Sequence, residues 1–583
     1  MNQVQFHIKF KLLVFFIAVL ILGSCKSIPN QSSINQSEKS NPNLKFFDSI
    51  LRAVDRYYLD PSRVNLKFGY IEAASEALYS MPSPLILIPD ASEFAKICDE
   101  SGPGCIRFLP TDPFFAIDPR HSAKNLDISQ FGLERNDAKS RSKIDIAWEK
   151  QNFGRADFLR VMNFIEEKIS FYDSPQYRSE RGIRSYDLRR AYAAAASGFI
   201  STLDSGSALF LRSDFDTKEN EKDNAGIGVV ISKMHNGEVR VEQTIAGSGA
   251  RKVGLLPGDI ILNIDDIPTR AKTLNSVISS LKGPKGTIVK VSIRPFNEKS
   301  IREILIQRDI VNIVNVSSSR LGKNKDIGYI KILSFSKTDT LNTDKDIVSN
   351  FKQLQKDAEI SKIPLKGLVI DIRNNSGGYL HQCIDSADLF LSEGLIVKTQ
   401  MRVKAEEYKA NLYSLDAPPI FILVNSRTAS GAELFAEALR ENGKAFVLGE
   451  ITHGISSIQN ILPIPEDDEY LIKLTSAMFS TPSGNKLQLK GLSPDILVSE
   501  EVDGSFPERY REKNKWRRLP GGIESNAWSP SESRKMILAE MRNRKPPEDI
   551  NLKVGEQDLF LERSLFYVNG ILELMNSQKE NSR

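Results

Sequence analysis

The stretch KGLVIDIRNNSGGYL, residues 366–380, decides how the chain is read. Leu368, Val369, Ile370 and Ile372 form a nearly continuous apolar run, the mark of a strand buried on both faces of a sheet. A glycine pair, Gly377 and Gly378, follows and runs into a helix pattern, SGGYLHQCIDSADLF. Strand, glycine loop and helix make one unit of an α/β fold. The unit recurs. PIFILV (419–424) feeds a short turn at Ser430 and then a helix pattern, TASGAELFAEAL (428–439). KAFVLGE (444–450) is a third buried strand. Residues 309–500 therefore read as an α/β core.

Upstream, residues 221–308 change to short strands and glycine turns. GIGVVI (226–231), EVRVEQTI (238–245), GLLPGDIILNIDD (254–266), the helix pattern LNSVISSL (274–281), TIVKVSI (287–293) and REILIQR (302–308) follow in order. This order resembles a PDZ domain. The resemblance implies that backbone N–H groups of Gly226, Ile227, Gly228 and Val229 form a nest for a terminal carboxylate. It also implies that the next strand pairs with an extended peptide, so the expected partner is the C-terminus of another protein.

Residues 46–220 read as helical. Phe47, Ile50, Leu51 and Val54 share one face, and residues 158–172 and 186–204 show similar periodicity. Within that region, 83–145 reads as an irregular insertion. Residues 501–583 carry proline-broken linkers and two helix patterns. In the last, Leu561, Leu565, Val568, Leu572 and Met575 form a stripe expected to pack on the body of the protein.

The chain has 583 residues, 40% hydrophobic and 26% charged, with a net charge of +4. That is ordinary for several globular domains and too mild to point to nucleic acid. Lys9 and Lys11 precede an eleven-residue apolar run (12–22) and then LGSC, which ends at Cys25. LGSC resembles a bacterial lipoprotein box. Residues 1–24 are thus expected to be a signal peptide, Cys25 a lipid anchor in the membrane, and 25–45 a polar tether. The implied location is the bacterial cell envelope, as a periplasm-facing or surface lipoprotein. Export permits a disulfide between Cys98 and Cys105, whereas Cys383 sits in a helix pattern as a small apolar residue. No Cys/His cluster has metal-ligand spacing, and neither metal nor cofactor is expected.

The glycine loop and the Ser430 turn can together form an oxyanion site. N–H groups of Gly377 or Gly378 would face that of Gly431, at a helix N-terminus. The blocks DIRNNSGG, TASGAE, GEITHGISSIQ and LTSAMFSTPSGNKLQLKGLSPDILV, placed after a PDZ domain, resemble the C-terminal-processing, or tail-specific, serine peptidases. The resemblance implies a multidomain α+β protein. It would have a helical N-terminal region, a β-rich PDZ domain, a crotonase-like α/β peptidase core and a helical C-terminal tail. It also implies a serine endopeptidase with Ser430 as nucleophile and Gln459 as orienting residue.

One position departs from the family pattern. Its third block runs G-E-x-T-x-G-K-G-x-x-Q, with the lysine as general base. Here Gly449, Glu450, Thr452, Gly454 and Gln459 stay in register, and Ile455 stands at the lysine. An isoleucine cannot accept a proton. That points to a catalytically impaired pseudopeptidase acting as a peptide-binding scaffold, an adaptor or part of an oligomer. Of five histidines, His453 and His381 lie near the blocks and are the candidates for a substitute base. Asp371, Arg373 and Glu433 read as a structural polar network, and Lys473 and Lys490 as structural lysines.

Overall fold

The computed structural model describes residues 41–90, 105–117 without 110, 143–172, 186–212, most of 225–337, and 341–499 without 466. Of the C-terminal segment it describes 511–514, 519–521, 528–547 and 558–581. The expected signal peptide, the Cys25 anchor and nearly all of the tether lie outside these residues, as does Cys98. Cys105 is disulfide-bonded. Two compact units divide the chain at Lys45/Phe46, and the second runs from Phe46 to Arg583. This second unit holds the helical region, the PDZ-like domain and the α/β core.

Helices Leu66–Tyr79, Arg155–Tyr172 and Leu188–Ser201 pack around an aromatic cluster. In it, Phe47 stacks on Phe158 at 4.7 Å, with the rings of Tyr70, Tyr192 and Phe199 around them. The insertion is not wholly irregular. Ile86–Pro89, Phe114–Ile117 and Cys105–Ile106 form a small antiparallel sheet. The two longer strands are buried at every position, so they show no alternation for a sequence pattern to reveal.

The PDZ-like region is an antiparallel sheet with Val229–Lys233 at one edge. Its core joins Ile227, Val239, Val241, Ile261, Val277 and Val291, which places helix Leu274–Leu281 on the sheet.

The α/β core is a six-stranded sheet in the order 316–321, 327–332, 367–371, 420–424, 445–449, 496–497. The first pair is antiparallel and the rest are parallel. Strands Gly367–Asp371, Ile420–Val424 and Ala445–Gly449 are buried at every residue, because both faces are covered. Helices Thr343–Ser361, Leu380–Asp388 and Gly431–Glu441 cover one face. Helices Glu532–Asn543 and Leu559–Asn581 cover the other through Ile537, Met541, Phe560, Val568 and Ile571. The stripe Leu561, Leu565, Val568, Leu572 and Met575 packs into that second layer, as its spacing predicts. A second sheet joins Leu395–Met401, Ala405–Lys409, Ser457–Ile464 and Asp467–Ser480, and Ala208–Leu211 adds to the last.

The C-terminal helices are thus one wall of the core. Ile571→Ala should cost about 2–5 kcal/mol, the usual range for emptying a closed site. Met536→Ala, on the exposed side of the same layer, should stay within about 0.5 kcal/mol. Urea midpoints of the two variants measure the difference.

Candidate active site

Three neighbouring parallel strands, Gly367–Asp371, Ile420–Val424 and Ala445–Gly449, end side by side, and each runs into a corner at its C-terminal end, where α/β sheets place their ligands. The first corner is DIRNNSGG, the second NSRTAS, the third EITHGI.

Side-chain amides join the first two corners. Asn374 takes the left-handed backbone (φ 63°) that asparagine tolerates. Its N–H donates to Asn425 Oδ1 at 3.0 Å, and Asn425 Nδ2 donates back to Asn374 Oδ1 at 2.9 Å. Asn375, fully buried, donates through Nδ2 to Ile332 O, and its own carbonyl accepts from Ala429 N–H. Thr428 Oγ1 donates to Ile372 O at 3.0 Å. Asn374, Asn375 and Thr428 fall inside the motif blocks and Asn425 falls outside them, but nothing in the sequence shows that the four meet.

Ser430 sits at the start of helix Gly431–Glu441 with φ 54° and ψ −121°. A β-carbon in that conformation is strained, which costs on the order of 1–3 kcal/mol and is typical of functional turns. Gly377 (φ 97°) lies so close that a Cβ there would come within 2.8 Å of Gly431 N and 3.2 Å of Ser430 Cβ. A Cβ on Gly378 (φ 149°) would collide with Phe335 O. The structure therefore brings Gly377, Ser430 and Gly431 together. The Gly377 N–H, however, is given to Asn375 Oδ1 at 2.8 Å.

The third corner is tied to the second by Glu433. Its Oε2 accepts from Ser430 N–H at 2.7 Å and from Ile455 N–H at 3.0 Å. Its Oε1 accepts from Gly454 N–H at 2.9 Å and from Thr452 Oγ1–H. The Ile455 backbone and the Ser430 backbone thus share one oxygen atom. His453 N–H adds a bond to Thr428 O at 2.9 Å.

The two histidines part company. His453 is nearly buried, and its Nε2 lies 3.4 Å from Glu512 Oε2. Ser205 Oγ–H donates to the other Glu512 oxygen at 2.5 Å. His381 is exposed, with its ring 5.9 Å from that of Tyr408. On its helix it is two residues from Cys383, whose sulfur fills the space against Gly431. Two residues turn a helix by about 200°, so His381 projects from the opposite face. Gln459 Nε2 donates to Ser457 Oγ at 2.8 Å, and a Cβ on Gly206 would come within 2.6 Å of that nitrogen. Lys473 lies over the Phe210 ring and Lys490 is in an exposed loop.

At the PDZ-like edge, Gly226 N–H is taken by Asp309 O at 3.0 Å. Ile227 is buried, Gly228 has φ 79°, and Val229 opens the edge strand.

The family profile described as Peptidase family S41 matches residues 326–498, and a PDZ domain profile matches 240–295. The chain is 33% identical over 336 residues to a carboxy-terminal-processing protease of Bartonella bacilliformis, covering 56% of this chain and 72% of that protein. It is 30% identical over 307 residues to the carboxy-terminal processing protease CtpA of Bacillus subtilis, covering 52% of this chain and 62% of that protein. Among solved structures it is similar to a photosystem II D1 C-terminal processing protease, with TM-score 0.44 and 24% identity over 57% of this chain and 89% of that one.

Burial pushes the Glu433 carboxyl up to about 7, against the pull of its four donors. A carboxyl raised on folding binds its proton more tightly in the folded state. Its stabilising contribution is therefore present below about pH 4.5 and lost as pH rises through 7, on the order of 3 kcal/mol in all. Buried Glu437 is raised to about 7 as well and adds the same trend. Unfolding free energy should fall between pH 4.5 and 7, and Glu433→Gln should flatten that slope by roughly half. An unchanged slope in chemical-denaturation series would show that Glu433 does not titrate there.

Proposed function

The chain belongs to the carboxy-terminal-processing proteases of peptidase family S41 and carries their PDZ domain, and on that premise we propose what its own residues do. The PDZ domain captures the free C-terminus of another protein along strand Val229–Lys233. The captured chain is presented to the Ser430 corner, where Ser430 is the nucleophile. With Gly377 N–H committed to Asn375, the oxyanion donors are the N–H groups of Gly378 and Gly431. Hydrolysis is severely impaired, and the protein acts chiefly as a peptide-binding member of its family.

One observation carries this reading. The N–H of Ile455, the residue that the family resemblance sets at the lysine, is held by the same Glu433 oxygen that holds the Ser430 N–H. The loop is therefore in place, but its side chain accepts no proton. Withdrawing a positioned base costs about 10² to 10⁴-fold in rate. A second reading draws on the His453–Glu512 pair. An imidazole whose Nε2–H faces a carboxylate carries its lone pair on Nδ1, the arrangement of an oriented base.

An unstructured substrate with an apolar C-terminus separates the two. Wild-type cleavage should not exceed that of Ser430→Ala, and Ile455→Lys should gain about 10² to 10⁴-fold. Robust Ser430-dependent cleavage by the wild type would defeat the impaired reading, and its loss in His453→Ala would favour the imidazole. For the PDZ domain, a peptide amidated at its C-terminus should bind about tenfold or more weaker than the free acid, the worth of a hydrogen bond to a charged group. Equal affinity in a fluorescence-polarisation titration would sink carboxylate capture.

A further inference from the structure

The segment after residue 500 does more than cover the sheet. Arg373, buried at 5% exposure, stands in the first corner, four residues before Gly377. It lies between two carboxylates. Its Nε and Nη2 donate to Asp371, and its Nη1 and Nη2 donate to Asp558 at 2.9 and 2.5 Å. Asp558 in turn caps helix Leu559–Asn581 by accepting from Leu561 N–H at 3.0 Å, and the guanidinium lies 4.5 Å from the Phe560 ring. The same segment reaches the third corner, where Glu512 faces His453 and Glu512 N–H donates to His453 O at 2.8 Å. Arg511 adds a bond to Lys490 O.

Two acidic residues far apart in sequence thus stand at the corners that flank Ser430: Asp558 is hydrogen-bonded to Arg373, and Glu512 Oε2 lies 3.4 Å from His453 Nε2. Arg373 is joined to the glycine loop by a short, over-determined path. Asn374 is left-handed, Asn375 is buried and bonded at both ends of its side chain, and Asn375 Oδ1 holds Gly377 N–H. A shift of Arg373 has little slack to absorb it before reaching Gly378. Asp371 is shared between Arg373 and Lys331, whose Nζ lies 3.8 Å from its Oδ2, so Asp558 completes the charge balance around the buried guanidinium.

We propose that Asp558 is a positioning residue for the oxyanion side of the Ser430 corner, so that the C-terminal segment latches the geometry of the site. This rests on the proposed roles of Ser430 as nucleophile and of Gly378 and Gly431 as oxyanion donors. The latch acts on a tetrahedral adduct, which needs the oxyanion donors in place, and not on the capture of an extended peptide.

The test uses the full chain and a peptide boronic acid, whose boron accepts a lone pair from the serine oxygen to give a tetrahedral boronate anion while the hydroxyl proton leaves to bulk water, so the adduct mimics the tetrahedral state without a positioned base or turnover. The wild type should bind the boronate in a Ser430-dependent way. Asp558→Asn should weaken that binding about 10 to 100-fold, the effect of a sub-ångström to ångström misplacement. Its affinity for the parent peptide acid should stay unchanged, and Asp558→Glu should restore most of the loss. Boronate binding by Asp558→Asn at the wild-type level would overturn the latch, as would equal loss of boronate and peptide. No Ser430-dependent boronate binding in the wild type would instead overturn the assignment of the site, and the latch with it.

Discussion

Everything at the candidate active site hangs on one buried carboxylate. Glu433 brings the Ser430 turn and the 452–455 loop onto two oxygen atoms, through three backbone N–H groups and one hydroxyl. Left unpaired, those donors would each carry a desolvation cost of about 1–3 kcal/mol. The strained backbone of Ser430 needs such over-determination to persist. Four donors drawn to one carboxylate supply it, and they hold the Ile455 backbone beside the serine whatever side chain stands there.

The parallel sheet imposes the second constraint. Parallel strands need both faces covered. The helices between the strands supply one face, and the C-terminal helices supply the other. The segment 501–583 is therefore part of the core, and its acidic residues can reach the loops at the strand ends. Arg373 shows the electrostatic side of this. Burial alone would raise the Asp371 carboxyl, but the guanidinium holds it well below the usual carboxylate range, with Tyr329 adding a hydrogen bond.

Architecture at the site does not depend on the side chain at position 455. Corners, glycine loop and Ser430 turn are held by amides, backbone groups and Glu433. Gln459 is held within its own strand, its amide nitrogen donating to Ser457 Oγ.

The sequence by itself determined the strand units, the PDZ-like order and the packing stripe of the last helix. These depend on local periodicity, on turn residues and on spacing along one chain. Only the tertiary structure decided what meets what. It turned His381 away from Ser430, gave Gly377 N–H to Asn375 and Gly226 N–H to Asp309, and brought Glu512 and Asp558 to corners far from them in sequence. It also drew a small sheet from a stretch that reads as irregular. Glu433 was legible as part of a structural polar network. Its reach to the 452–455 loop was not, because a hydrogen bond between distant segments leaves no period in either of them.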